Sequence, residues 1–287
     1  MTLYPDQGDL EVESPSIALP EPAGLASRLR ALTPARVGLS RAGESIATQE
    51  LLDFQLAHAL ARDAVHAALQ PASLISNLLD LAGQGAVPEF GTPLLLHSAA
   101  RDRTTYLQRP DLGRLLALES RERLKQLRRD SSFDLALIIV DGLAALAVER
   151  HTVPLLKALL PALSQSSPPL RMAPLCVVEQ GRVAIGDEIA HELAASLVVV
   201  LIGERPGLSS PDSLGAYITW RPRPGQTTDA ARNCISNIRL GGLAYDEAAS
   251  RLLYYIQEGT RRQLTGVGLK DPDALQLSID REMRLES

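Results

Sequence analysis

Two unbroken apolar runs constrain this chain more than any other feature. One covers 135–140, Leu-Ala-Leu-Ile-Ile-Val; the other covers 197–202, Leu-Val-Val-Val-Leu-Ile, within a strand expected over 196–202. Both are far shorter than the roughly 20 apolar residues of a membrane span. Both carry β-branched residues and lack the apolar–polar alternation of a half-exposed strand. That is the pattern of strands covered on both faces, as in a parallel sheet flanked by helices. Each run ends in a polar turn with glycine: Asp141-Gly142 after the first, Gly203-Glu204-Arg205-Pro206-Gly207 after the second. Ligands of open α/β sheets bind beyond the carboxyl ends of the strands, so these two turns are where a site is expected.

The stretches between are helical in pattern. Over 48–69, Leu52, Leu56, Ala59, Leu60 and the group Ala64, Val65, Ala68 recur at helical spacing, with Thr48 able to cap the start and Pro71 limiting continuation. A second short helix is expected over 74–81, stopped by Gly83 and Gly85, then a short extended piece over 92–96. After Pro110 the character changes. A charged helix over 111–129 precedes the first apolar run, and a helical stretch interrupted around Pro154 and Pro161 follows it. Short strands are expected over 174–178 and 216–220, and helices over 187–195, with Asp187 at its N-terminus, and over 245–264. The chain thus reads as α/β: an acidic, proline-rich disordered tail (1–27), a helical N-terminal domain (28–108), and a doubly wound parallel-sheet domain (109–287).

Composition removes several function classes. With 29 basic and 34 acidic residues the net charge is −5, which disfavours a surface built to neutralise phosphates. Aromatics at 3% are too few for a base-stacking platform. No basic-then-apolar leader opens the chain, and Cys176 and Cys234 form neither a bridge framework nor a metal cluster. A cytoplasmic location is expected, with neither a membrane nor a nucleic acid as partner. Catalytic motifs fail one by one. Gly83-x-Gly85 and Gly266-x-Gly268 lack the third glycine of a dinucleotide loop, and His191-Glu192 has Ala195 where a zinc helix needs its second histidine. His58 and His66 read as surface or core residues. No catalytic and no metal-ligating residue is assigned. What remains is the polar loop 203–213, with Glu204, Arg205, Ser209, Ser210, Asp212 and Ser213 directly behind an apolar strand. It reads equally well as a binder of a ligand rich in amides and hydroxyls and as an internally satisfied turn.

The ordered motifs resolve that choice. They are Arg36-Val-Gly-Leu-Ser-Arg41-Ala-Gly43, the run from Leu51 to Val65, Tyr106-Leu-Gln-Arg-Pro-Asp-Leu-Gly-Arg114, Asp141-Gly-Leu143, Gly181-Arg-Val183, Asp187-Glu-Ile189, the run from Gly203 to Leu214, and Arg232-Asn-Cys-Ile-Ser-Asn-Ile238. In this order, over roughly 33–271, the chain resembles the small (light) subunits of ethanolamine ammonia-lyase, an adenosylcobalamin-dependent enzyme.

The resemblance implies a helical N-terminal region and a Rossmann-like domain. It implies a large catalytic subunit as partner in a hetero-oligomer, a barrel that holds ethanolamine and the adenosyl group. It implies adenosylcobalamin (coenzyme B12, with its cobalt) as cofactor, held at the subunit interface for radical deamination of ethanolamine to acetaldehyde and ammonia. The hard chemistry would belong to the cofactor and the other subunit. Three residues carry over as cofactor contacts: Val183 through its backbone, Glu204 through its carboxylate, and Cys234 as a small packing contact. Their bland alternatives are a turn residue, a salt bridge to Arg205, and a buried structural thiol. A bacterial microcompartment is a further location that the resemblance brings in. Two other readings are a standalone corrinoid- or nucleotide-binding module and a structural protein of a metabolic compartment.

Overall fold

A computed structural model describes residues 24–33, 35–39, 41–83, 91–127 and 132–271. Most of the expected tail, the Gly85 helix stop, the end of the basic stretch near 129 and everything after Asp271 lie outside the described residues. The chain divides into two compact units, Met1–Phe54 and Gln55–Ser287.

In the first unit, α1 (Leu25–Leu32) is followed by a two-residue hairpin, β1 (Arg41–Ala42) and β2 (Ser45–Ile46), and by the start of α2 (Thr48–His66). Residues 25–27, expected in the tail, are therefore helical. Arg30 ties this unit together: it pairs with Glu50 at 3.0 Å and donates to the Val37 and Gly38 carbonyls. The helical spacing in α2 is borne out, but its leucines are not a buried stripe. Leu52, Leu56 and Leu60 are exposed, while Ala64 is buried.

The second unit is built on a six-stranded sheet in the order β3-β5-β4-β6-β7-β8. The strands are β3 (Leu94–His97), β4 (Phe133–Val140), β5 (Cys176–Glu179), β6 (Ala195–Gly203), β7 (Leu214–Trp220) and β8 (Arg232–Ile238). The first four of that order run parallel, as the apolar runs predict; β7 and β8 extend the sheet antiparallel. β4 and β6 pair in register from Leu135↔Leu197 to Val140↔Ile202.

Strand alternation splits the core in two. Leu135, Leu137 and Ile139 join Leu197, Val199 and Leu201 on the face covered by α3 (Pro71–Ala82), α6 (Ala145–Ser164) and α8 (Tyr245–Arg262). Ala136, Ile138 and Val140 join Val198, Val200 and Ile202 on the face covered by α5 (Leu118–Leu127) and α7 (Ile185–Glu192). Both sets are buried, which is why 135–140 and 197–202 are wholly apolar. The crossovers through α6 and α7 leave on opposite faces, so the sheet is doubly wound.

Three local expectations need correction. The charged helix begins at Leu118 rather than Asp111, after a 3-10 turn at Leu112–Arg114. Pro154 and Pro161 do not interrupt α6, which runs through both; tight packing of Leu155, Leu156, Leu159 and Leu160, all fully buried, offsets the lost backbone bonds. Pro71 starts α3 rather than merely ending α2, because its missing N–H is no loss in a first helical turn. Among the described residues, no helix is long and apolar enough to cross a membrane.

Candidate functional site

The carboxyl ends of β4, β5 and β6 converge, and two glycines let them. Gly142 has φ +59°, and a Cβ there would lie 2.3 Å from the Gly203 carbonyl oxygen. A Cβ on Gly203 would lie 2.1 Å from the Ala144 oxygen. No other residue fits either place, so the turns after the two apolar runs pack backbone to backbone, with Leu143 N donating to Gly203 O at 2.9 Å. The crevice foreseen at the strand ends is one place, assembled from both turns.

Its floor is ionic. Asp141 is 1% exposed and accepts from Gln180 N at 2.9 Å and Gly181 N at 3.1 Å. Burial pushes its carboxyl up to about 6, against the pull of those amides and of Arg103, whose Nη1 lies 3.9 Å away. Arg103 comes from α4 (Arg103–Gln108) and also donates to the carbonyls of Val65 and Gly142, each at 2.7 Å. Tyr106, fully buried, lies against both the Arg103 and Arg182 guanidinium groups, at 4.9 and 4.3 Å from its ring centre. Its hydroxyl donates to Gly181 O at 3.1 Å. The Nε of Arg182 is buried with no hydrogen-bond partner.

Above this floor opens a cavity of about 460 Å³. Val183 and Glu204 both line it, with Tyr106, Arg182, Arg205 and Tyr217. A second hollow of about 480 Å³ adjoins it through Arg182, Val183 and Tyr217, adding Arg114, Thr227, Thr228 and Asp229. Cys234 sits on β8 directly opposite Tyr217 of β7 and is exposed, so the buried thiol of the chain is Cys176. Burial, and next the nearby Cys234, push the Tyr217 phenol above its ordinary range, so it stays a neutral donor. Of the three expected residues, two share one cavity and the third stands beside a cavity residue.

The Glu204 carboxylate turns to the Asn237 backbone amide, 3.0 Å from its Oε2, rather than to neighbouring Arg205. A carboxylate has several acceptor positions, so this bond leaves capacity for a ligand. Sequence reasoning missed Tyr217 and Arg182 as cavity residues. Arg182 stood inside a quoted motif; Tyr217 carried no signal beyond its place in an expected strand. It placed Asp187 at a helix start, as found, but did not foresee its partner. Asp187 is in the first turn of α7, but its carboxylate takes a two-pronged contact from Arg232, at 2.7 and 2.8 Å, with both side chains buried. Among the described residues, no cluster of three His, Cys, Asp or Glu side chains could hold a metal ion.

The loop from Glu204 to Ser213 is closed at its neck by Glu204 N donating to Ser213 O at 2.9 Å. Near its end Asp212 accepts from Arg150 of α6 at 2.7 Å and lies 3.7 Å from His151 Nε2. The other nitrogen of His151 contacts the Tyr245 hydroxyl at 2.9 Å.

Comparison with known proteins agrees with the ordered motifs. The family model of the ethanolamine ammonia-lyase light chain (EutC) matches residues 24–270. The ethanolamine ammonia-lyase small subunit of Pseudomonas paraeruginosa (strain DSM 24068 / PA7) is 54% identical over 251 residues, covering 86% of this chain and 88% of that protein. That of Pseudomonas fluorescens (strain SBW25) is 51% identical over 267 residues, covering 92% of each. That of Azotobacter vinelandii is 55% identical over 246 residues, covering 85% of this chain and 87% of that protein. A match of this extent places the chain in the ethanolamine ammonia-lyase light-chain family.

Proposed function

We propose that this chain is the small subunit of an adenosylcobalamin-dependent ethanolamine ammonia-lyase, active only with its large subunit, and that the crevice holds one edge of the corrinoid. The observation that carries the reading is the meeting of Val183 and Glu204 in one cavity, with Cys234 beside its Tyr217 wall. The donor set fits a corrin edge, which is fringed with amides. Glu204 offers a carboxylate acceptor, Arg182 an unpartnered buried N–H, and Tyr217 a neutral hydroxyl. When bound, the cofactor supplies the carbon radical that starts the deamination.

This chain's own residues bind and orient. Glu204 would accept from an amide N–H while its other oxygen stays on Asn237, so the carboxylate is fixed before the ligand arrives. Val183 would present backbone groups from the turn after β5. Tyr217 lines that edge, and the exposed Cys234 beside it would be a small packing contact with the cofactor. The exposed leucines of α2 support a subunit that completes its burial against another chain. We assign the complex to the cytoplasm; co-sedimentation with shell proteins tests whether a microcompartment encloses it.

The test is ammonia release from ethanolamine and adenosylcobalamin, assayed with this chain alone, the large subunit alone, and both together. Activity only in the mixture is expected. A verified complex that releases no ammonia but binds corrinoid would favour a standalone corrinoid module. Within an active complex, Glu204→Ala should weaken cofactor binding about tenfold, the value of one charge-assisted hydrogen bond.

A further inference from the structure

The turn after β5 is held in a shape that its own sequence does not favour. Gln180 stands at φ 57°, in the left-handed region that side chains rarely adopt. Such a conformation persists only where the surroundings over-determine it. Here they do so on three sides. The two oxygens of Asp141 take the consecutive amides of Gln180 and Gly181, the Tyr106 hydroxyl donates to Gly181 O, and Arg182 N donates to Gly113 O at 2.7 Å. The next side chains along the chain, Arg182 and Val183, line the cavity.

We infer that Asp141 is a positioning residue that sets the 180–183 turn, and through it the Arg182 and Val183 groups, at the corrinoid edge. The inference deepens the proposed function and rests on it. Asp141 does not line the cavity; it acts through the turn. Only an ionised carboxylate can accept from both amides without placing a proton between them. The groups facing it are Arg103, 3.9 Å away, and beyond it the Tyr106 phenol and the Arg182 guanidinium that lie against one another. Protonation would turn one oxygen into a donor aimed at an amide N–H. At pH 7.5, above the value of about 6 to which burial has moved it, the carboxyl is ionised and can make both bonds.

The test is Asp141→Asn in the complex with the large subunit. Asparagine keeps the shape and one acceptor but points an NH₂ at the other amide. Adenosylcobalamin binding is followed by its visible spectrum at pH 7.5, and amide hydrogen exchange is followed over 133–140 and 180–183. Expected are about a tenfold higher cofactor Kd and KM at pH 7.5, kcat at saturating cofactor within about twofold, and faster exchange at Gln180 and Gly181 with β4 still protected. A variant whose Kd and exchange match wild type within about twofold overturns the inference. If Asp141→Asn does not assemble, Tyr106→Phe removes only the bond to Gly181 O. It should raise the Kd about threefold and speed exchange at the same turn, and an unchanged Kd and exchange would overturn the inference equally. A wild-type complex that takes up no corrinoid overturns the proposed function instead, and exchange alone then decides whether Asp141 holds the turn.

Discussion

Two buried aspartates flank the crevice, and they are neutralised in opposite ways. Asp187, on α7, meets Arg232 of β8 through a two-pronged contact at 2.7 and 2.8 Å. Asp141, at the end of β4, meets two backbone amides, and its nearest cation stands 3.9 Å away. Burial raises both carboxyls above their ordinary value, opposed mainly by Arg232 for Asp187 and mainly by the amides for Asp141. The first arrangement ties the antiparallel edge of the sheet to a helix on its parallel half. The second fixes one turn. One carboxylate serves the fold, and the other serves the shape of the site.

The largest effect is expected at the first. Asp187→Ala leaves Arg232, 8% exposed, with only the solvent-exposed Asp229 at 3.8 Å and the Thr219 hydroxyl at 3.1 Å in place of its two-pronged partner. Removing one member of such a pair costs about 3–5 kcal/mol. Urea denaturation of the purified chain reads this directly. The double variant Asp187→Leu with Arg232→Met should regain most of the loss, since a buried ion pair is worth little against well-packed apolar groups of like volume. A single variant that loses under about 1 kcal/mol would remove the distinction between the two aspartates.

The second aspartate should reveal itself through pH. Its carboxyl sits at about 6 in the fold, against an ordinary 3.8. A folded-state pKa raised in this way stabilises the protein below pH 3.8, and that stability is lost as pH rises through 6. Two units correspond to roughly 3 kcal/mol. The stability of wild type minus that of Asp141→Asn should therefore fall by about 3 kcal/mol between pH 3 and pH 8, since other carboxyls cancel in the difference. Denaturant titrations across that range check it. A flat difference would mean that Asp141 is as well neutralised as Asp187, and the comparison would collapse into one kind of site.

How far the sequence reveals this follows from what each feature is made of. β4 and β6 were legible because burial on both faces leaves an unbroken apolar run, and the turns behind them because a strand end followed by glycine marks a binding edge. β8 was not legible. Its sequence, Arg-Asn-Cys-Ile-Ser-Asn-Ile, follows a mixed pattern of buried and exposed residues and includes no apolar run. Without β8 the partner of Asp187 could not be seen, so a helix-start role was the natural reading. Val183, Glu204 and Cys234 came from motif resemblance, and nothing in their spacing brings 183, 204 and 234 together; only the sheet order does. Arg182 and Tyr217 share that cavity for the same long-range reason. The exposed leucines of α2 show the limit of periodicity, which marks an apolar face and not what covers it.

A third carboxylate sharpens the comparison at its weak end. Asp212, 19% exposed in its side chain, pairs at 2.7 Å with Arg150, which is 56% exposed. Water screens this pair, so Asp212→Asn should cost only about 0.5–1 kcal/mol. Its other neighbour does not change that expectation. His151 is 4% exposed, and its burial lowers its pKa despite Asp212 nearby, so at neutral pH it carries no charge to be orphaned. Its contact with Tyr245 holds the ring in place either way. Thermal unfolding at pH 7.5 should thus show a shift of a few degrees at most. A loss above about 2 kcal/mol would mean that Arg150, His151 and Tyr245 form with Asp212 a coupled network as costly to break as the Asp187 pair. The polar loop would then be anchored through the core rather than resting on the surface, and Glu204 would owe its position to both ends of the loop.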